Sequence, residues 1–176
     1  RQASAWFAQN RLISEALDHA LLGGDADAAA RLVAEHRHEA MNEERWHRLR
    51  RWLGLLPRDL VENDPQLLII EAWLLIGWSE MADVMVRIEA LLSAMPPDAA
   101  VARRMQGEWA TLRALVYYHM ADGQRALACA QQAVETLPQH HFSERGLAIM
   151  LLGLSYQMIG DLEQARQVIF EALKGK

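Results

Sequence analysis

Only one cysteine, Cys129, stands among the 176 residues. The chain therefore cannot close an internal disulfide or build a zinc site on several thiolates, which fits a reducing cytoplasm. Glycine and proline are sparse, at 10 and 5 residues, too few for the many turns of an all-β protein. Lysine occurs only at 174 and 176, so nearly all positive charge is arginine. The net charge of −5 argues against direct contact with DNA, because gripping phosphates needs a basic face. No basic-then-apolar stretch opens the chain. Its longest apolar run, LLIIEAWLLIGW, is broken by Glu71 and falls well short of the roughly 20 residues of a membrane span. The reading is a cytoplasmic protein with no membrane contact.

What is present is helix-forming and apolar. Hydrophobic residues make up 52%, enough to bury a core, and Ala, Leu, Glu, Gln, Arg and Met lose little side-chain freedom in a helix. The expected class is all-α. The stretch SYQMIGDLEQAR sets the internal pattern, with Tyr156 and Ala165 nine residues apart around Gly160-Asp161. Tyr117 and Ala126 repeat it around Asp122-Gly123, Trp73 and Ala82 around Gly77, and Ala20 and Ala29 around Gly23-Gly24-Asp25. Each match reads as two helices joined by a tight turn, the last pair over about 143–159 and 162–173. Gly160 closes the first helix in the left-handed conformation and Asp161 caps the second. A small residue on the second helix lets the backbones approach, and pairs of this kind stack into a solenoid.

Further positions agree: Gly153, Ile169 and Ala172 in the last unit, and Ala130, Ala133 and Pro138 in the unit before it. This order of small, aromatic, small and proline positions resembles the tetratricopeptide repeat, whose pairs stack as a right-handed superhelix. The intervals between the key alanines are 53 (29 to 82), 44 (82 to 126) and 39 (126 to 165), all longer than the consensus of about 34. Residues 1–40 read as a helical segment, 41–66 as connector helices and 67–176 as about three degenerate repeats. In the connector, Trp46, Leu49 and Leu53 share one helix face, while Pro57 and Pro65 bracket a linker. Pro96-Pro97 marks a loop.

No residue set suggests catalysis. There is no GxSxG elbow, and Ser155 in GLSYQ lacks the second glycine. LLGGDADAAA has glycines but no Lys-Ser/Thr to hold a phosphate and its Mg²⁺. His36 and His38 are two apart and point in different directions on a helix, so a solvated helix end is preferred to a metal site. The adjacent His140 and His141 follow Pro138 in a loop and diverge in the same way. Arg45, Arg48 and Arg51 lie on one side of a helix, where an acidic partner can dock; the plainer alternative is a solvated face beside Glu43 and Glu44.

A geometric route to a site remains, because the first helix of each pair lines the concave side of such a stack. Those positions are Glu71, Leu74 and Leu75 in one unit; Glu108, Thr111, Leu115, Tyr118 and His119 in the next; and Met150, Leu154, Gln157 and Met158 in the last. Apolar and aromatic groups with a few polar ones suit a small ligand or peptide. The alternative is that these residues pack against flanking repeats.

The order of segments is similar to the helical region of MalT-like, LuxR-family ATP-dependent transcriptional activators. The resemblance rests on Trp6-Phe7, the stretch from Glu15 to Leu21, Gly24-Asp25, Trp52-Leu53, Leu56-Pro57, Pro65, Leu67, Ala72-Trp73 and Gly77. It implies a regulator in which an ATPase switch precedes the superhelix and a helix-turn-helix follows it. The superhelix would then sense a small-molecule inducer or a regulatory protein and contact the other domains. ATP would be bound in a part not contained here, and this segment itself would hold no cofactor. The chain begins at Arg1 and stops just after a helical pattern, which reads as a fragment of such a protein. The alternative function is a tetratricopeptide-like interaction scaffold unconnected with transcription.

Overall fold

The computed structural model describes residues 2–75, 78–96 and 100–174, and among these the regular structure is entirely α-helical. The all-α expectation holds. Contacts divide the chain into two compact units, Arg1–Met95 and Pro96–Lys176. The expected segments 1–40 and 41–66 thus both fall in the first unit, and 67–176 is shared between the two. The first unit holds α1 (Gln2–Gln9), α2 (Ile13–Leu22), α3 (Ala26–Asn42), α4 (Trp46–Leu55), α5 (Arg58–Asn63), α6 (Pro65–Leu74) and α7 (Trp78–Ser93). The second holds α8 (Ala100–His119), α9 (Gly123–Thr136), α10 (Phe142–Met158) and α11 (Leu162–Lys174).

One turn recurs through both units. A left-handed residue follows the helix, and the next residue donates its amide to the carbonyl five positions back, which satisfies carbonyls the helix end leaves open. The left-handed residues are Arg11 (φ 60°), Gly24 (71°), Glu44 (55°), Ala121 (57°) and Gly160 (86°). The amides of Leu12, Asp25, Arg45, Asp122 and Asp161 bond the carbonyls of Phe7, Ala20, Ala40, Tyr117 and Tyr156 at 2.8–2.9 Å. Nine residues after each acceptor comes Ala16, Ala29, Leu49, Ala126 or Ala165, all buried. The nine-residue spacing is therefore the length of one turn plus the first turn of the next helix. Asp25, Asp122 and Asp161 also cap that helix, each carboxylate accepting the amide three residues on at 3.1 Å.

Two of the five turns, at Phe7–Ala16 and Ala40–Leu49, lie outside the sequence-based set. The Trp73–Ala82 match does not share the geometry. There the helix ends at Leu74 and Leu75 is extended (φ −79°, ψ 134°), whereas the equivalent Leu22, His119 and Met158 are still helical. Gly77 and Pro97 lie outside the described residues.

In the first unit α6 packs against α3, α4, α5 and α7. Leu67, Leu68, Ile69 and Ile70 are all wholly buried, as suits a central helix that is apolar on every side. On α4 the deep residues are Leu49 and Trp52, whose indole nitrogen donates to the Ser14 hydroxyl at 3.0 Å. Trp46 and Leu53, expected to share a face with Leu49, are half-buried. The second unit is a stack in which each helix packs on the next and α8 also meets α10. Its core comprises Ala110, Ala133, Leu137 and Ala148, then Ala114, Cys129, Ala130 and Leu151. Burial pushes the Cys129 thiol up, against a smaller opposing pull from Arg113, so it acts as a small apolar side chain.

The expectation of solvated histidines is corrected. His36 and His38 are half-buried on α3, with His36 Nδ1 3.5 Å from Glu39. Between them Arg37 is buried, its guanidinium donating to the Ala34 carbonyl. His141 lies in the loop directly before α10, as expected, and is buried there.

Candidate functional site

In the first unit the three expected positions come together. Glu71, Leu74 and Leu75 line an open cleft of about 390 Å³ with Arg50, Leu53, Gly54, Leu56, Arg58 and Val61. The cleft forms because α6 stops at Leu74 while α4 and α5 run alongside it. Arg50 reaches across to donate to the Leu74 carbonyl at 3.3 Å, a cation at a helix C-terminus. Arg58 donates to Glu71 and to Glu62, each at 2.7 Å, and Arg87 lies 3.6 Å from Glu62. The hydrogen bonds to Glu71 and then Glu62 hold the Arg58 guanidinium above its ordinary value. The second oxygen of Glu71 and the indole nitrogen of Trp73 are buried without a hydrogen-bond partner among the described residues. A carboxylate half used by Arg58, two guanidinia and five aliphatic side chains can orient a ligand with an apolar body and a polar end.

In the second unit the expected positions scatter. Glu108 and Thr111 are wholly buried, so neither opens into a groove. Thr111 donates to the Gly107 carbonyl at 2.8 Å and shares a face with Gly107. A Cβ at Gly107 would lie 2.7 Å from Leu137 Cγ, so this face of α8 is pressed against the end of α9. Leu115 and Tyr118 continue that face and pack half-buried on the core around Cys129. His119 is exposed with its ring edge-on to Tyr118 at 5.2 Å. On α10, Met150, Gln157 and Met158 are exposed and Leu154 is half-buried. The cleft that does open in this unit, about 340 Å³, is lined by Val134, Ile149, Leu152, Gln164, Gln167, Val168, Glu171 and Ala172. It uses a different register of α10 from the expected one, and it involves α11, which the first-helix rule passes over.

Each of the three arginines expected as a docking face has a partner within its own unit. Arg45 pairs with Glu43 at 2.9 Å, Arg51 lies 3.8 Å from Asp18, and Arg48 sits over the Trp52 ring at 5.9 Å. The α4 arginine that reaches the cleft is Arg50, a position the one-sided reading of Arg45, Arg48 and Arg51 leaves out.

No protein-family profile matches the chain, and no solved structure does. Curated relatives do. The chain is 30% identical over 170 residues to the HTH-type transcriptional regulator MalT of Cronobacter sakazakii, a match that covers 95% of this chain and 18% of that protein. It is 28% identical, with the same coverage, to the HTH-type transcriptional regulator MalT from two strains of Klebsiella pneumoniae. No described helix is long and apolar enough to cross a membrane. Along nearly all its length the chain is thus similar to a segment of these HTH-type transcriptional regulators, and it spans 18% of their length.

Proposed function

We propose that the chain is the effector-sensing and partner-binding module of a transcriptional activator. In this reading the helix pairs belong to a right-handed tetratricopeptide-like superhelix. An inducer or a regulatory protein binds it and biases an ATP-driven switch housed elsewhere in the longer protein, which binds DNA through a separate helix-turn-helix. The segment itself works in the cytoplasm without catalysis and without a cofactor of its own. The observation that carries the reading is the similarity to HTH-type transcriptional regulators over 95% of the chain. The cleft around Glu71, Leu74 and Leu75 supports it, offering an apolar pocket with few polar groups. The remaining exposed positions, His119, Met150, Gln157 and Met158, and the arginines 45, 48 and 51 are the surfaces for a larger partner. Sensing requires that the ligand bind one state of the regulator better than the other.

The test is thermal unfolding of the chain against metabolites and short peptides. A ligand present at 100 times its Kd adds about 2.7 kcal/mol of stability. The expected result is such a gain, abolished by Arg50→Ala or Leu75→Ser at the cleft. No gain from any ligand, or a gain that both variants leave intact, contradicts sensing at this cleft.

A further inference from the structure

Two charged groups of opposite sign are left incompletely paired at the cleft of the first unit. The first is Glu71. Arg58 donates to its Oε1 and to Glu62 Oε1, each at 2.7 Å, and Arg87 makes a longer approach to Glu62 at 3.6 Å. Glu62 thus has two cationic neighbours, whereas Glu71 only shares Arg58. Its Oε2 is buried and takes no hydrogen bond among the described residues. A buried carboxylate oxygen without a donor is costly and rare. The open cleft that Glu71 lines is where a donor can arrive.

Arg50 is the opposite case. It donates to the Leu74 carbonyl through one nitrogen at 3.3 Å, and among the described residues it has no acidic partner. A guanidinium carries five donors, so it keeps enough of them for a carboxylate. The apolar lining is aliphatic, from Leu53, Leu56, Val61, Leu74 and Leu75. All of these residues lie between positions 50 and 75, inside the first unit.

We propose that the ligand of this cleft is a zwitterion with an aliphatic side chain, of the class of the branched α-amino acids. The proposal deepens the sensing reading above and rests on it. The ligand's carboxylate meets the planar fork of Arg50. Its ammonium donates to Glu71 Oε2; the last torsion of a glutamate is soft, so a small turn of the carboxylate presents this oxygen to the cleft. The side chain lies against the leucines. At about 390 Å³ the cleft is near the lower end of ligand pockets, a size for a metabolite. A molecule lacking either charge leaves Arg50 or Glu71 without its partner, and the site discriminates by that loss.

The probes are L-leucine, L-isoleucine and L-valine, titrated into the intact chain by isothermal calorimetry. Saturable binding of at least one is expected. Its N-acetyl derivative, without the ammonium, and its amide, without the carboxylate, should each bind more weakly by roughly tenfold or more, as the loss of a charged hydrogen bond implies. Glu71→Gln should erase the preference over the N-acetyl derivative alone, and Arg50→Gln the preference over the amide alone. A merely structural effect of either substitution would not give that crossed pattern. Derivatives that bind as tightly as the parent amino acid overturn the zwitterion while leaving the cleft a ligand site. If none of the three amino acids binds, the proposal falls; the sensing reading then stands only if another ligand stabilises the chain and loses its effect with Arg50→Ala or Leu75→Ser.

Discussion

Ala121 and Gly160 hold the same place in two turns 39 residues apart, both left-handed, and only one is glycine. In the α8–α9 turn the glycine sits two positions later, at Gly123, where the following helix has already begun. Its backbone is negative in φ, so conformational freedom is not the reason for it. The close approach of Met158 and Ile159 is, since a Cβ there would meet them at 3.1 and 3.0 Å. The counterpart Leu162 is 65% exposed and meets no such limit. Side chains in this repeat thus follow what packs outside the turn as much as the turn itself. Where another helix presses in, glycine moves to make room and alanine bears the backbone strain.

That comparison can be broken by substitution. Gly123→Leu should cost about 3 kcal/mol by overpacking α9 against α10, while Leu162→Gly should cost less than half as much; equal losses in thermal unfolding would dissolve the distinction. Gly107→Ala should cost about 2 kcal/mol, because the new methyl meets Leu137 side-chain atoms at 2.7 and 2.8 Å and its backbone nitrogen at 3.0 Å. Gly160→Ala should cost about 1 kcal/mol for a left-handed alanine. The reverse change, Ala121→Gly, should be near neutral, because relief of strain is offset by the added freedom of the unfolded chain. Asp161→Ala should cost about 0.5 kcal/mol for loss of the cap to Gln164 at an exposed helix start. Urea midpoints resolve the series.

The turns that can be read in the sequence are those spelled with glycine and aspartate. Gly24-Asp25 and Gly160-Asp161 show both the left-handed residue and the cap, and Asp122 shows the cap alone. Arg11 and Glu44 take the same left-handed conformation with no glycine to announce it, and Leu12 and Arg45 follow them without a side-chain cap. Those two turns are held by backbone hydrogen bonds and by the buried Ala16 and Leu49, so residue type carries almost no sign of them. Trp73 errs the other way. Its spacing to Ala82 fits, yet α6 unwinds at Leu75 beside a helix buried all round.

Legibility of the site follows the same divide. Glu71, Leu74 and Leu75 meet in one cleft because they end a single helix. Along α8 and α10 a shift of one residue turns a side chain by about 100°. That was enough to place Thr111 in the core and to hand the cleft of the second unit to Ile149 and Leu152.

The most direct test of the repeat is hydrogen exchange at the amides of Leu12, Asp25, Arg45, Asp122 and Asp161, each of which donates to the carbonyl five residues back. If one turn is used five times, all five amides are protected, those after Arg11 and Glu44 as well as those after glycine. Exchange at the unprotected rate for Leu12 and Arg45, with protection only at the three aspartates, would contradict a common turn and leave the array confined to its Gly-Asp joints.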